Sequence, residues 1–159
     1  MGVEIERKFL VRDDRWRGLF TRKQEIRDGL IAIASGRKVR VRICDQRATL
    51  AVKSKTDSLA NAEYEYESPR DDAEELITRH CLHAELGKTR YFVPDGRLTW
   101  QVDIYKGMLA GVILAEVELP SETTELALPD WVGREVTGNP DYKKINMLNA
   151  RVAAASRVT

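Results

Sequence analysis

Six short segments carry like charges two residues apart: Glu4 with Glu6, Arg40 with Arg42, Lys53 with Lys55, Glu63 with Glu65, Lys88 with Arg90, and Glu116 with Glu118. Lys8 continues the first in step. A spacing of two puts both side chains on the same face of a β-strand. Like charges side by side on one face repel, so a strand that keeps them needs something to offset them. Acidic faces suit hard divalent cations such as Mg²⁺ or Mn²⁺, which take carboxylate oxygens together with phosphate oxygens and water. Basic faces suit a polyanion, because arginine forks phosphate oxygens in pairs and lysine supplies a point charge. The combination points to a metal-dependent site for a polyphosphate, where catalysis of phosphoryl transfer is mostly positioning and charge neutralisation.

The elements that must carry these residues are strands. Val3 to Val11 alternates, with Val3, Ile5, Phe9 and Val11 opposite Glu4, Glu6, Lys8 and Leu10; Arg7 interrupts the apolar side. Further strands are predicted over 25–34, 38–44, 48–54, 62–67, 85–93, 98–105 and 112–119, separated by turn signals at Ser35-Gly36, Asp45-Gln46, Pro94-Asp95-Gly96 and Gly107 to Gly111. Helices are predicted over 13–20 with Trp16, Leu19 and Phe20 inward, over 71–82 with Ser68 as cap and Ala73, Leu76, Ile77 and Cys81 buried, and over 141–155. About eight strands with few helices argue for an antiparallel sheet or barrel in a single domain spanning residues 1–159.

An antiparallel sheet commonly turns one charged face to water. If the sheet closes, the same face lines an interior, where charge must be balanced. By parity the inward carboxylates are Glu4, Glu6, Glu63, Glu65, Glu67, Asp103, Glu116 and Glu118. The inward bases are Lys8, Lys38, Arg40, Arg42, Lys53, Lys55, Lys88 and Arg90, so the two sets match in number.

Composition sets limits on partners. The chain has 26 Lys and Arg against 25 Asp and Glu, a net charge of +1, so no nucleic-acid partner is expected. The N-terminus carries charges where a secretory leader needs an apolar run, and no stretch is long and apolar enough for a membrane span. A cytoplasmic protein without membrane partners is therefore expected. Cys44 and Cys81 form no C-x-x-C pair and imply no disulfide framework. Gly87-Lys88-Thr89 imitates the end of a P-loop but has Leu82 where the leading glycine belongs. His80 and His83 lack the i, i+4 spacing of a helical metal pair.

VEIERKFLV resembles the N-terminal E-x-E-x-K segment of the CYTH superfamily, the triphosphate tunnel metalloenzymes. KVRVRI, LAVKS, AEYEYE, GKTRYFV, WQVDIYKG, LAEVELP and REVTGNPDYKKINML are similar, in order, to later segments of that family. The resemblance implies an α+β, mainly β fold: a closed eight-stranded antiparallel β-barrel around a charged tunnel, with peripheral helices and a C-terminal helix. It implies Mg²⁺ or Mn²⁺ held by Glu4, Glu6, Glu116 and Glu118, with Glu63, Glu65 and Asp103 nearby. Lys8, Arg40, Arg42, Lys53, Lys88 and Arg90 would hold the phosphates, with Lys55 and Lys144 as weaker candidates, and Lys88 would serve the attacking water. The implied substrate is a small-molecule triphosphate: tripolyphosphate, thiamine triphosphate or a nucleoside triphosphate.

Two positions depart from the family pattern. Leu30 stands where many bacterial triphosphatases carry a tyrosine, and Asn61 where an arginine often leads the acidic strand. Leucine neither donates, accepts nor titrates. Three activities therefore stay open on this scaffold: metal-dependent hydrolysis of the terminal phosphate, an adenylate cyclase, and a polyphosphate- or nucleotide-binding module without turnover. Apolar outer strand faces with few helices to cover them add a homodimer to the expectations.

Overall fold

The computed structural model describes residues 2–56 and 58–158. The alternating segments become β1 (Gly2–Val11), β2 (Arg22–Ala34), β3 (Arg37–Cys44), β4 (Arg47–Lys55), β5 (Ala60–Glu67), β6 (Leu86–Asp95), β7 (Leu98–Tyr105) and β8 (Ile113–Glu118), with a short β9 (Val132–Glu135). Two helices complete the fold, α1 (Arg70–Arg79) and α2 (Lys144–Val158). The sheet runs β5-β4-β3-β2-β6-β7-β8-β1-β9 and closes through a further β1–β5 pairing. All pairings are antiparallel.

β1 closes the barrel. Its residues Glu6 to Leu10 pair with β8, Gly2 to Ile5 pair with β5, and Phe9 and Val11 pair with β9. Eight strands thus form the expected barrel, and β9 continues the edge of β1 that β5 leaves uncovered. The β2–β3 connection is a two-residue turn in which Ser35 and Gly36 both take positive φ, 49° and 75°, the hand that matches strand twist.

Most of the outward faces are apolar and covered from within the chain, while Val3 of β1 and Tyr66 of β5 stay exposed. On β7, Trp100 and Val102 point out and are fully buried, alternating with inward Gln101 and Asp103. Trp100 packs edge-on against Phe9 and Trp131, with ring centroids 5.3 and 5.6 Å away. Trp16 meets Tyr91 in the same way at 4.9 Å. On the other side, Ala73 and Ile77 of α1 cover Val41, Ile43 and Ala48. Where β1 finishes and β6 begins, the inward positions turn apolar: Leu86, Tyr105 and Leu114 pack with Leu148 of α2.

Some expected boundaries shift. The helix predicted over 13–20 is a single 3-10 turn, Arg15–Gly18; Trp16 is buried, whereas Leu19 and Phe20 are exposed. α1 ends at Arg79, short of Cys81, and Ser68 does not cap it: Pro69 holds the cap position and the Ser68 hydroxyl donates to the Pro69 carbonyl. α2 starts at Lys144, after a 3-10 turn at Pro140–Tyr142 that the Asn139 side chain caps by accepting from the Asp141 N–H. β9 was not anticipated from the alternation. Both cysteines are free. Among the described residues no helix is long and apolar enough to cross a membrane.

Candidate active site

The barrel encloses a cavity of about 560 Å³. Counted around the ring, β3 and β8 have three strands between them on either path and so face each other. Arg40 and Arg42 therefore look across the cavity at Glu116 and Glu118. Beside β8, β1 brings Glu6 level with Glu118 and Lys8 level with Glu116. β4 and β5 supply Lys53, Glu63 and Glu65, and β6 supplies Arg90; all of these line the cavity. The expected inward residues of six strands thus meet in one enclosed space.

Within it the bases and acids are interleaved. The Lys53 ammonium lies 2.5 Å from Glu4 and 3.4 Å from Glu6. Arg40 reaches Glu63 at 3.2 Å and Glu65 at 3.4 Å. Glu116 has Lys8 and Arg90 each at 3.6 Å. Burial opposes ionisation of Glu116, but Lys8, Arg90, Lys88 and Lys144 overcome it and hold its pKa well below the ordinary carboxylate range.

On the β1/β8 side Glu6 and Glu118 are the least compensated acids. Glu116 is the largest influence pushing the Glu6 pKa up, and burial adds to it. Burial raises Glu118, with Glu4 and Glu6 adding repulsion. Four carboxylates that repel one another on one wall are the donor set a hard divalent cation neutralises, so the residues fit Mg²⁺ or Mn²⁺ by ligand type and charge. Among the described residues, no group of three or more acidic, histidine or cysteine side chains forms a ready-made cage. Oxygens from phosphate and water would have to complete the shell.

Lys88 and Asp103 occupy a deeper layer. Both side chains are fully buried, and the Lys88 ammonium donates to Asp103 at 2.9 Å. Arg90 forks the same carboxylate at 2.7 and 2.8 Å. Burial lowers the Lys88 pKa from its ordinary value, against the pull of Asp103. Asp103, expected near the metals, spends its oxygens on these two bases and stands behind the cavity wall.

Two residues of this layer escaped sequence reasoning. Asp28 is buried, accepts from Arg42 at 2.6 and 2.9 Å, and has Lys144 3.8 Å away. Its signal was its parity: it lies two residues before Leu30 on β2 and pairs in register with Arg42. Tyr105 pairs in register with Lys88, and its buried hydroxyl finds no hydrogen-bond partner among the described residues. Burial, then Asp103 and Glu116, raise its pKa. Leu30 lines the cavity, while Asn61 sits level with Glu4 and Lys55 at the β1–β5–β4 seam. Lys55 is exposed.

Comparison with known proteins bears on the family and the fold. An inorganic triphosphatase of Acetivibrio thermocellus is 38% identical over 148 residues, covering 93% of this chain and 94% of that protein. An inorganic triphosphatase of Nitrosomonas europaea is 30% identical over 149 residues, covering 89% and 93%. A crystal structure of an inorganic triphosphatase superposes with a TM-score of 0.64 at 27% identity, over 91% of this chain and 97% of the other. The family model of the CYTH domain matches residues 2–146, from the first strand of the barrel into α2. By that match and these relatives, the chain belongs to the CYTH domain family.

Proposed function

We propose that the protein hydrolyses the terminal phosphate of a triphosphate in the barrel cavity, with Mg²⁺ or Mn²⁺. The observation that carries this is a cavity of about 560 Å³ in which Glu116 and Glu118 of β8 face Arg40 and Arg42 of β3, with Glu4, Glu6 and Lys53 beside them. The relatives named inorganic triphosphatase support the reaction class.

Arg40, Arg42, Lys53, Lys8 and Arg90 would hold the phosphate oxygens, the arginines in bidentate fashion. Each already rests on a carboxylate, so an entering polyanion competes with an internal partner, and a cation would have to take up the carboxylate charge it displaces. Glu4, Glu6, Glu116 and Glu118, with Glu63 and Glu65 beside them, would hold the metal. When bound, the cation neutralises phosphate charge and lowers the pKa of a bound water. Asp103 fixes Arg90 and Lys88 in place. Lys88 is assigned to the attacking water; as the neutral amine, the form that burial favours, it would accept the water's proton.

The test is phosphate release from tripolyphosphate, thiamine triphosphate and ATP with each metal. Release from at least one, lost in Glu116→Ala, is the expected result; release from none rejects the proposal. Leu30 favours one alternative, a binding module, because the cavity has an apolar side chain at that point. Tight metal-dependent binding without turnover would select it. Cyclic AMP formed from ATP would select the cyclase instead.

A further inference from the structure

Lys88 is sealed in a slot whose walls are largely apolar. Its neighbours in register are Ile26 on β2 and Tyr105 on β7, and both are buried. Asp103 is the carboxylate within hydrogen-bond reach of the ammonium, and it is shared with the Arg90 fork. Asp28 of β2 adds attraction and Arg42 of β3 repulsion from further off. Glu116 of β8 and Lys144 of α2 also lie within the reach of the Lys88 charge. One side of the ammonium is closed by an aromatic face: Nζ sits over the Tyr105 ring, 5.5 Å from its centroid. The ring is held there by Leu86, Leu109, Leu114, Val136 and Leu148. Tyr105 is not among the residues that line the cavity, and its hydroxyl has no hydrogen-bond partner among the described residues. What it offers Lys88 is therefore the face of its ring. Such a face carries negative potential and attracts a cation, more strongly where water is excluded.

We infer that Tyr105 is a positioning residue for the hydrolysis, whose ring face holds Lys88 Nζ in place and stabilises the positive charge that gathers there as the attacking water gives up its proton. The assignment rests on the function proposed above. In that step the water's O–H bond breaks and the proton bonds to the Nζ lone pair. The water oxygen bonds to the terminal phosphorus, and the bridging P–O bond breaks with its electron pair left on the departing phosphate. Asp103 is divided between Lys88 and Arg90, so the ring is the second group that steadies the new ammonium.

The experiment measures kcat and KM for phosphate release, with Mg²⁺, from whichever of tripolyphosphate, thiamine triphosphate and ATP the native protein hydrolyses. Rates are taken on the pH plateau, where Lys88 starts as the amine. The variants are Tyr105→Phe, Tyr105→Leu, and proteins with a phenylalanine of one, two or three ring fluorines at position 105. Fluorine drains the ring face of negative potential while nearly preserving its shape, so this series reads the contact without opening a cavity. Tyr105→Phe is expected to keep native kcat, because the hydroxyl it loses has no partner. Tyr105→Leu is expected to lower kcat about tenfold, the order of a desolvated cation–π contact, with KM unchanged. The fluorinated rings are expected to lower kcat stepwise between those limits. A kcat that stays level across the fluorinated series would overturn the assignment, even if Tyr105→Leu fails to fold. So would a Tyr105→Phe as slow as Tyr105→Leu, or a change in KM with native kcat. No release by the native protein from any of the three substrates would instead overturn the proposed function, and the assignment with it.

Discussion

Glu6 and Arg7 are neighbours on β1 and live in opposite worlds. Glu6 points into the barrel, where Glu116 and burial raise its pKa and a single lysine, Lys53, stands 3.4 Å away. Arg7 points out, where Glu135 of β9 accepts two hydrogen bonds from its guanidinium at 2.8 and 2.7 Å. That carboxylate is held below its ordinary pKa, chiefly by those bonds. The outside of the barrel is arranged for stability: aromatic packing around Trp100, matched ion pairs, a strand added to cover an edge. On the β1/β8 wall inside, like charges are kept together at a cost in stability, which is what a site that must receive a cation and a polyanion requires. Substitutions on the two faces of the same strands should therefore differ in sign as well as size.

The largest effect is expected outside. Trp100→Ala removes the ring that joins Phe9 and Trp131 in a fully buried cluster, and should lower unfolding free energy by about 3–5 kcal/mol in a denaturant titration. Next is Asp103→Ala, in the deep layer of the interior. It leaves buried Lys88 without its carboxylate and should cost about 3 kcal/mol, with loss of phosphate release if Arg90 and Lys88 depend on it for position. A neutral result would remove Asp103 from the account.

Glu6→Gln should have the opposite sign, stabilising the protein by about 0.5–1 kcal/mol through relief of like-charge repulsion while weakening Mn²⁺ binding. Because the folded pKa of Glu6 is raised, the wild-type penalty exists only when the group is ionised. The gain should be absent below the unfolded pKa of about 4.3 and complete once the pH exceeds the raised folded value. The smallest effect belongs to Glu135→Gln. That side chain is 37% exposed, so its pair with Arg7 is screened and worth about 0.2–1 kcal/mol. Its folded pKa is lowered, so the contribution is present above the unfolded pKa and disappears as pH falls through the folded one. Opposite pH trends in the two variants would sharpen the contrast between faces; parallel trends would break it.

Much of this was legible because a closed barrel imposes a period of two on every strand. β7 was read at its true limits, 98–105, since Trp100, Val102 and Ile104 alternate cleanly with polar partners. The same parity found the cavity residues Glu4, Glu6, Arg40, Arg42, Lys53, Glu63, Glu65, Glu116 and Glu118. What parity cannot give is depth. Lys88 and Glu116 share an inward face, yet one is sealed against Asp103 and the other lines the cavity, a difference set by neighbours on another strand. Asp28 was hidden because its neighbours two residues away on β2, Ile26 and Leu30, are apolar, so no charge recurs on that face. β9 was hidden because four residues are too few to establish an alternation. The division of the edge of β1 between β5 and β9 depends on pairings distant in sequence, which no local pattern records.

The most direct measurement is calorimetric titration of tripolyphosphate into the native protein and Glu116→Gln, with and without Mg²⁺ or Mn²⁺. Opposed acidic and basic walls predict binding at least about tenfold tighter with the cation, a gain of roughly 1.4 kcal/mol, and loss of that gain in Glu116→Gln. Equal affinity with and without cation in the native protein, or an undiminished gain in the variant, would contradict a cavity in which the two walls act together on one metal-bound polyphosphate.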